Sequence, residues 1–189
     1  MKNKERWLVT GGAGFIGSHI AEDLVRRGHS VRVFDNLSFG KRENLAAVKD
    51  RVELVVGDLR DFAAVRRAMK GIQYISHQGA LRAVSRSMED PLSYTQVNVD
   101  GIQHVLQAAK EAGSRRVVFA SSSSVYGDAK VFPQKESFTP APISPYAASK
   151  LAGEHYCAVY AKSFGLEAVA LRYFNVFGPR QDPASQYAV

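Results

Sequence analysis

The chain has 189 residues, 46% of them apolar and 23% charged, which is enough for one folded domain, with no tract biased toward a linker, repeat or low complexity. Its formal charge of +7 comes from scattered cations (Arg26, Arg27, Lys41, Arg42, Arg66, Arg67, Arg115, Arg116) rather than one basic, aromatic-studded segment, so a small anionic substrate is expected and nucleic acid is not. Charged residues from Met1 to Arg6 and the early glycines Gly11 and Gly12 fit neither a signal peptide nor a membrane span, and the lone Cys157 allows no intramolecular disulfide and no cysteine-based zinc site, so a cytoplasmic, metal-free protein is expected.

Short apolar runs alternate with longer amphipathic stretches, the pattern of strand, helix, strand repeats. The first strand is predicted over Arg6–Thr10. Directly after it, Thr10-Gly11-Gly12-Ala13-Gly14-Phe15-Ile16-Gly17 opens a helix from about Gly14 to Arg27, which Gly28 ends. The run contains both G-x-x-G-x-x-G and G-x-G-x-x-G spacings. Glycines let the backbone turn sharply and approach a pyrophosphate with no Cβ in the way, while the free N–H groups of a helix start attract the anion. A cofactor phosphate site over Gly11, Gly14, Phe15, Ile16 and Gly17 follows.

The second strand, Ser30–Phe34, runs into Asp35, 18 residues beyond Gly17. A carboxylate there can accept hydrogen bonds from the adenosine ribose hydroxyls and would repel a 2′-phosphate, so NAD is expected rather than NADP, with Lys41 and Arg42 as the cations that speak for the latter. The other reading of Asp35 is a turn aspartate before Asn36. A third strand, Val52–Val56, leads to Gly57-Asp58-Leu59. Asp58 could meet the adenine amino group or serve as a loop acid near the next helix, Asp61 to Met69, which Asp61 caps and Gly71 ends. The fourth strand, Ile72–Ser76, is followed by His77-Gln78-Gly79-Ala80, small residues against which the middle of the cofactor could lie; His77 itself reads as structural. A helix from about Tyr94 to Ala112 carries Val97, Ile102, Val105, Leu106 and Ala109 at helical spacing and ends at Gly113.

The fifth strand, Arg116–Ala120, runs into Ser121-Ser122-Ser123-Ser124-Val125-Tyr126-Gly127, and a helix from Tyr146 to Phe164 ends at Gly165 before the sixth strand, Glu167–Leu171. Tyr146 and Lys150, four residues apart, share a helix face. Such a lysine lowers the pKa of its phenol neighbour; bringing a tyrosine from about 10 to near 7 takes roughly 4 kcal/mol of phenolate stabilisation. The phenolate can then remove a hydroxyl proton while a serine, Ser122 or Ser123, hydrogen-bonds the same oxygen. Taken singly, Tyr146 and Lys150 are also an ordinary exposed pair and the serines an ordinary loop. Six strands with helices on both faces make an α/β fold, a Rossmann-type doubly wound parallel sheet whose ligand lies beyond the carboxyl ends of the strands.

Together the glycine run, Asp35-Asn36-Leu37-Ser38, Gly57-Asp58-Leu59, Ser121 to Gly127, Tyr146 to Lys150 and Arg172-Tyr173-Phe174-Asn175-Val176-Phe177-Gly178-Pro179-Arg180-Gln181 resemble the extended short-chain dehydrogenase/reductase superfamily, and within it the NAD-dependent nucleotide-sugar epimerases of the UDP-hexose kind. The resemblance implies Ser122, Tyr146 and Lys150 as the catalytic trio with Ser123 in support. It implies Asn36, Ser38, Gly40, Leu59, Gln78, Gly79, Ala80, Asn98 and Tyr173 near the cofactor, Arg82 and Ala83 in the sugar pocket with Ser122, and Asn175 near the substrate diphosphate.

Relatives that dehydrate or decarboxylate usually carry an acidic residue where Ser123 and Ser124 stand, so the expected reaction is epimerisation at C4 through a 4-keto sugar. A dehydratase or reductase of the same superfamily, or a catalytically silent NAD-binding fragment, is the alternative. The run from Gly178 to Pro183 is similar to epimerases acting on UDP-N-acetylhexosamines, UDP-glucose or UDP-uronic acids. The resemblance further implies a homodimer through a four-helix bundle of the Asn98 to Ala112 and Tyr146 to Phe164 helices. Family proteins continue into a second, substrate-gripping domain; residues 1–178 are expected to be the NAD-binding domain and 179–189 the start of the connection to that domain, which this chain lacks.

Overall fold

A computed structural model describes residues 4–183 of the chain. Six strands, β1 (Arg6–Thr10), β2 (Ser30–Asp35), β3 (Val52–Val56), β4 (Tyr74–His77), β5 (Arg116–Ser122) and β6 (Glu167–Tyr173), form one parallel sheet in the order β3-β2-β1-β4-β5-β6. The chain works outward from β1 to β3 and then returns to the other side of β1, so the order reverses between β1 and β4. Thr10 pairs with Phe34 on one side and His77 on the other, which brings three strand ends level at that reversal. A crevice opens there, as in every open sheet wound in both directions.

Helix α1 (Phe15–Arg26) and a 3₁₀ segment at Arg42–Val48 cover one face. On the other lie α2 (Phe62–Met69), two short helices α3 (Val84–Glu89) and α4 (Pro91–Tyr94), then α5 (Gly101–Glu111) and α6 (Pro145–Phe164). Because strand side chains alternate, neighbours go to different cores: Val9 and Val33 pack under α1 with Ala21, Leu24 and Leu45, while Leu8 and Phe34 pack with Ile102, Leu106 and Phe119 beneath α2, α5 and α6. The glycines predicted to end helices do so: Gly28, Gly71, Gly113 and Gly165 all take positive φ. Asp61 caps α2 by accepting from the Ala64 N–H at 3.0 Å, as expected.

Several boundaries depart from the sequence reading, beginning with the second strand, which takes in Asp35. The fourth strand begins at Tyr74 and includes His77, because Ile72 is held in a turn by its bond to Met69. The fifth and sixth strands each run two residues further than predicted, keeping Ser121 and Ser122 in the ladder opposite Arg172 and Tyr173. The single helix predicted from Tyr94 to Ala112 is instead α4, a π-helical stretch over Thr95–Asp100, and α5; the wider turn carries the buried Asn98 inward. The 3₁₀ segment and α3 had no sequence signal. Residues 179–183 of the expected connecting segment fold back on α1, where Arg180 donates to Ser18 and to the Asn44 carbonyl, both at 3.0 Å, and pairs with Glu22. Residues 184–189 lie outside the described residues. Among those described, no helix is long and apolar enough to cross a membrane.

Helix α6 reaches the sheet closely because of Gly153, where a Cβ would stand 2.5 Å from Cζ of Phe119 on β5. Alanine would ordinarily improve a helix interior by about 1 kcal/mol over glycine. Here the clash should win, and Gly153→Ala is expected to destabilise the fold by about 1–2 kcal/mol, read as a lower urea midpoint at unchanged slope. An unchanged or higher midpoint would show that α6 has room to spare.

Candidate active site

The crevice is a cleft of about 1130 Å³ that runs from the glycine turn to β5 and α6. At one end, Gly11 takes φ +63°, and a Cβ on it would lie 2.6 Å from the Gly79 nitrogen; one on Gly17 would lie 2.2 Å from the Gly11 carbonyl. The turn, the start of α1 and the loop after β4 therefore touch through hydrogens alone. Gly14 caps α1 without a side-chain bond, so the first-turn N–H groups beside Phe15 and Ile16 are left to the cleft those residues line.

Asp35 serves as the turn aspartate that the sequence allowed, and it lines the cleft. Its carboxylate accepts from the Ala13 N–H at 3.0 Å and the Leu37 N–H at 2.8 Å, fixing the turn, and with one bond on each oxygen it retains acceptor capacity in a residue that lines the cleft. Gly40 lies so close that a Cβ would fall 2.8 Å from these oxygens. Asn36 and Ser38 form a local turn bonded through the Asn36 side chain. Asp58 lines the same end. Bidentate Arg60 bonds at 2.9 and 2.8 Å, aided by Asn36 at 3.1 Å, hold its carboxyl well below the usual carboxylate range. It is a partnered anion in the cleft wall, and by accepting from the Arg60 N–H at 2.9 Å it is also the loop acid that the sequence allowed ahead of α2. Leu59, Gln78, Gly79 and Ala80 complete this stretch.

At the other end, Ser144 caps α6 by accepting from the Ala147 N–H at 3.1 Å, and Pro145 begins it, which sets the phase of Tyr146, Lys150 and Glu154 along one face. Lys150 is buried, and its Nζ donates to the Ala120 carbonyl of β5 at 2.8 Å. Burial pushes it down to about 8. One turn on, Glu154 accepts from Ser121 at 2.5 Å and from Arg172 of β6 at 2.9 and 2.8 Å. Burial alone would raise the Glu154 carboxyl, but its Arg172 and Ser121 bonds leave it lowered. Ser122 caps a 3₁₀ turn, accepting from both the N–H and the hydroxyl of Ser124 at 3.1 and 2.8 Å. Tyr146, Ser122, Ser123 and Lys150 all line the cleft, and so do Tyr173, Asn175, Arg82 and Ala83.

Of the predicted site residues, only Asn98 does not line it. Its amide accepts from the Leu81 N–H at 2.8 Å and donates to the Leu81 carbonyl and Ser149, both at 3.0 Å, so Asn98 tethers the pocket wall to α6 rather than facing the cofactor space. His77 is structural, as read: burial first and Lys150 second push it down to about 3, and it exchanges a 2.7 Å hydrogen bond with Thr10. Sequence reasoning missed the Glu154–Arg172 pair, although Glu154 stands one helical turn past Lys150. Burial and Glu154 push Cys157 up to about 12, leaving an inert thiol. Among the described residues no cluster of His, Cys, Asp and Glu could hold a metal.

The sequence over residues 7–188 matches the model of the NAD dependent epimerase/dehydratase family. The chain belongs to that family. It is 41% identical to a UDP-glucose 4-epimerase of Mycolicibacterium smegmatis over 97% of its own length and 60% of that protein's. Among solved structures it is similar to the Thermus thermophilus UDP-glucose 4-epimerase in complex with NAD, with a TM-score of 0.91 and 48% identity over 96% of this chain and 59% of that one. It is also similar to the dTDP-glucose 4,6-dehydratase of Streptomyces venezuelae, solved with NAD and TYD bound, with a TM-score of 0.90 and 39% identity over 95% of this chain and 59% of that one. The chain thus spans between about half and 60% of the length of the relatives it matches.

Two measurements probe this family site. Gly17→Ala is expected to abolish saturable binding of NAD while the circular dichroism spectrum keeps its mixed helix and strand character, because the added methyl must displace the Gly11 peptide. For Lys150, the folded pKa lies below the unfolded one, so its burial costs stability when both states are protonated, below pH 8, and the cost fades as pH rises from about 8 to 10.5. Lys150→Met should therefore melt higher than the parent at pH 7, by up to about 3 kcal/mol, with the gap closing by pH 10. A gap that does not depend on pH would mean that Lys150 titrates alike in the folded and unfolded chains, its pKa unshifted by burial.

Proposed function

We propose that this chain holds NAD and a UDP-hexose and inverts the sugar at C4 by way of a 4-keto intermediate. The observation that carries the reading is the face of α6 bearing Tyr146 and the buried Lys150 against the serine end of β5, on the wall of the same cleft that begins at the glycine turn.

The residues present fit NAD. A turn that admits no Cβ at Gly11 or Gly17, uncapped N–H groups at α1 and a half-satisfied Asp35 suit a pyrophosphate and a ribose diol, while neither Lys41 nor Arg42 lines the cleft to meet a 2′-phosphate. When bound, NAD would supply a reversible hydride acceptor for C4 of the sugar. Tyr146 takes the proton of the 4-hydroxyl and gives it back. Lys150, a cation in a dry site, favours the phenolate that does so. Ser122, with Ser123 in support, donates to the same sugar oxygen and fixes its direction. Asn175 meets the diphosphate, and residues 1–178 act as the NAD-binding domain.

A dehydratase needs an additional acid or base next to the sugar. The carboxylates that line the cleft are Asp35, Asp58 and Asp90; the first two stand at the glycine end, and Asp90 is taken up in capping α4 through the Ser93 N–H at 3.2 Å. Ser123 and Ser124 stand where relatives that dehydrate usually carry an acidic residue, which favours epimerisation. A silent NAD-binding module is disfavoured by Lys150, since burying an ammonium group costs stability and needs a functional return. The reading includes a homodimer in the cytoplasm, formed where α5 and α6 lie side by side with Val159 and Phe164 exposed.

Proton NMR of the NAD-loaded chain with UDP-glucose, UDP-N-acetylglucosamine and UDP-glucuronate separately tests the reaction, and C4 inversion of at least one without accumulating NADH is expected. Tyr146→Phe should keep NAD and lose about a hundredfold or more in turnover. Net NADH would identify a dehydrogenase instead, and full turnover by Tyr146→Phe would remove the tyrosine from the mechanism.

A further inference from the structure

Between the cofactor-side stretch Gln78–Ala80 and helix α3, the backbone of Leu81, Arg82, Ala83 and Val84 forms part of the cleft wall. Its conformation is unusual: Ala83 takes φ +92° and ψ 109°, a region that alanine rarely enters and that costs about 1–3 kcal/mol unless its surroundings enforce it. Two polar side chains from the next helical stretch do so. Asn98 grips Leu81 at both its N–H and its carbonyl. Tyr94, buried at the end of α4, directs its hydroxyl at the carbonyls of Arg82, 2.6 Å away, and Ala83, 2.8 Å away. The Ala83 carbonyl also accepts from the Ser87 N–H at 3.2 Å, so the strained peptide is fixed from the helix it starts and from the one after.

The same tyrosine touches the reaction end. The Tyr94 ring stands edge-on to Tyr146, with centroids 6.3 Å apart and planes at 87°. One side chain thus joins the Arg82–Ala83 stretch of the cleft wall to the ring of Tyr146. Arg82 and Ala83 line the same cleft as Tyr146.

We propose that Tyr94 is a positioning residue for the sugar subsite: its hydroxyl holds the Arg82–Ala83 backbone in the strained shape that contacts the hexose, and its ring sets the pose of Tyr146. The proposal rests on the epimerase reading. The two halves of the side chain then have separable effects. Tyr94→Phe keeps the ring and lets the Ala83 peptide relax, weakening the hexose subsite. Tyr94→Leu removes both supports.

Calorimetric titration of UDP-glucose and of NAD into the parent and Tyr94→Phe chains, with amide hydrogen exchange over residues 81–87, reads the first effect. Tyr94→Phe is expected to bind NAD as the parent does, to bind UDP-glucose roughly fivefold more weakly, the weight of one buried hydrogen bond, and to exchange faster across Ala83 to Ser87. In turnover, its KM for UDP-glucose should rise while kcat stays within about twofold, whereas kcat should fall in Tyr94→Leu. Equal UDP-glucose affinity in parent and Tyr94→Phe overturns the proposal and leaves the epimerase reading standing. Parallel loss of NAD and UDP-glucose affinity also overturns it, by showing a general structural role. A parent that takes up NAD but no UDP-sugar overturns the epimerase reading and the proposal with it.

Discussion

The ammonium group of Lys150, buried beneath α6 and bonded to the Ala120 carbonyl, is the constraint on which the reaction end depends. A lysine in that position must be reached by a helix lying very close to β5, and the absence of a side chain at Gly153 over Phe119 allows the approach. The cation then finds one carbonyl and two aromatic faces, those of Phe119 at 5.0 Å and Tyr146 at 5.9 Å, in place of water. Burial makes the proton easier to lose, and the nearby charges make it matter: Lys150 also helps to keep His77 neutral under the floor of the cleft. Helix α6 is clamped a second time, one turn on, by Glu154 to Ser121 and Arg172. Both clamps end on the last residues of β5, so the serines and the tyrosine are set relative to each other by backbone and buried charge rather than by loop packing.

The far end of the cleft is organised on the opposite sign. Asp35 and Asp58 bring carboxylates to the glycine turn, and each is committed to neighbours: Asp35 to two backbone N–H groups, Asp58 to Arg60 and Asn36. Such groups are rigid before any ligand arrives, which lowers the ordering cost of binding. Uncapped N–H groups at α1 offer the complementary positive potential between them. A dinucleotide with a central diphosphate, a ribose at one end and a reactive ring at the other matches that sequence of charges along the crevice.

The sheet, its strands and the glycines that end helices were legible because they depend on local rules: alternating apolar runs, and positive φ at Gly28, Gly71, Gly113 and Gly165. The lining of the candidate cleft was legible where motif and strand end coincide, as at Gly11 to Gly17 and Asp35, and where helical spacing puts two side chains on one face, as for Tyr146 with Lys150. What escaped depends on contacts distant in sequence. Asn98 was expected near the cofactor from the family resemblance alone, and its attachment to Leu81 and Ser149 exists only once those elements have packed. Asp58 could be read as ligand or loop acid because Arg60 and Asn36 decide its state. The strained Ala83 and the π-helical turn before α5 break the local preferences from which sequence is read, and both are found at the cleft wall, where such departures tend to gather.

Whether hydride leaves C4 and returns to the same carbon is the most direct question to put to this arrangement of Tyr146, Lys150 and the glycine-turn cleft. UDP-glucose carrying deuterium at C4, incubated with the NAD-loaded chain in ordinary water and followed by NMR, answers it. The predicted result is UDP-galactose that keeps its deuterium at C4, with none exchanged to solvent. Loss of the label to water would contradict the account, because it would mean that C4 inverts by proton exchange and that the cofactor end of the cleft takes no part in the chemistry.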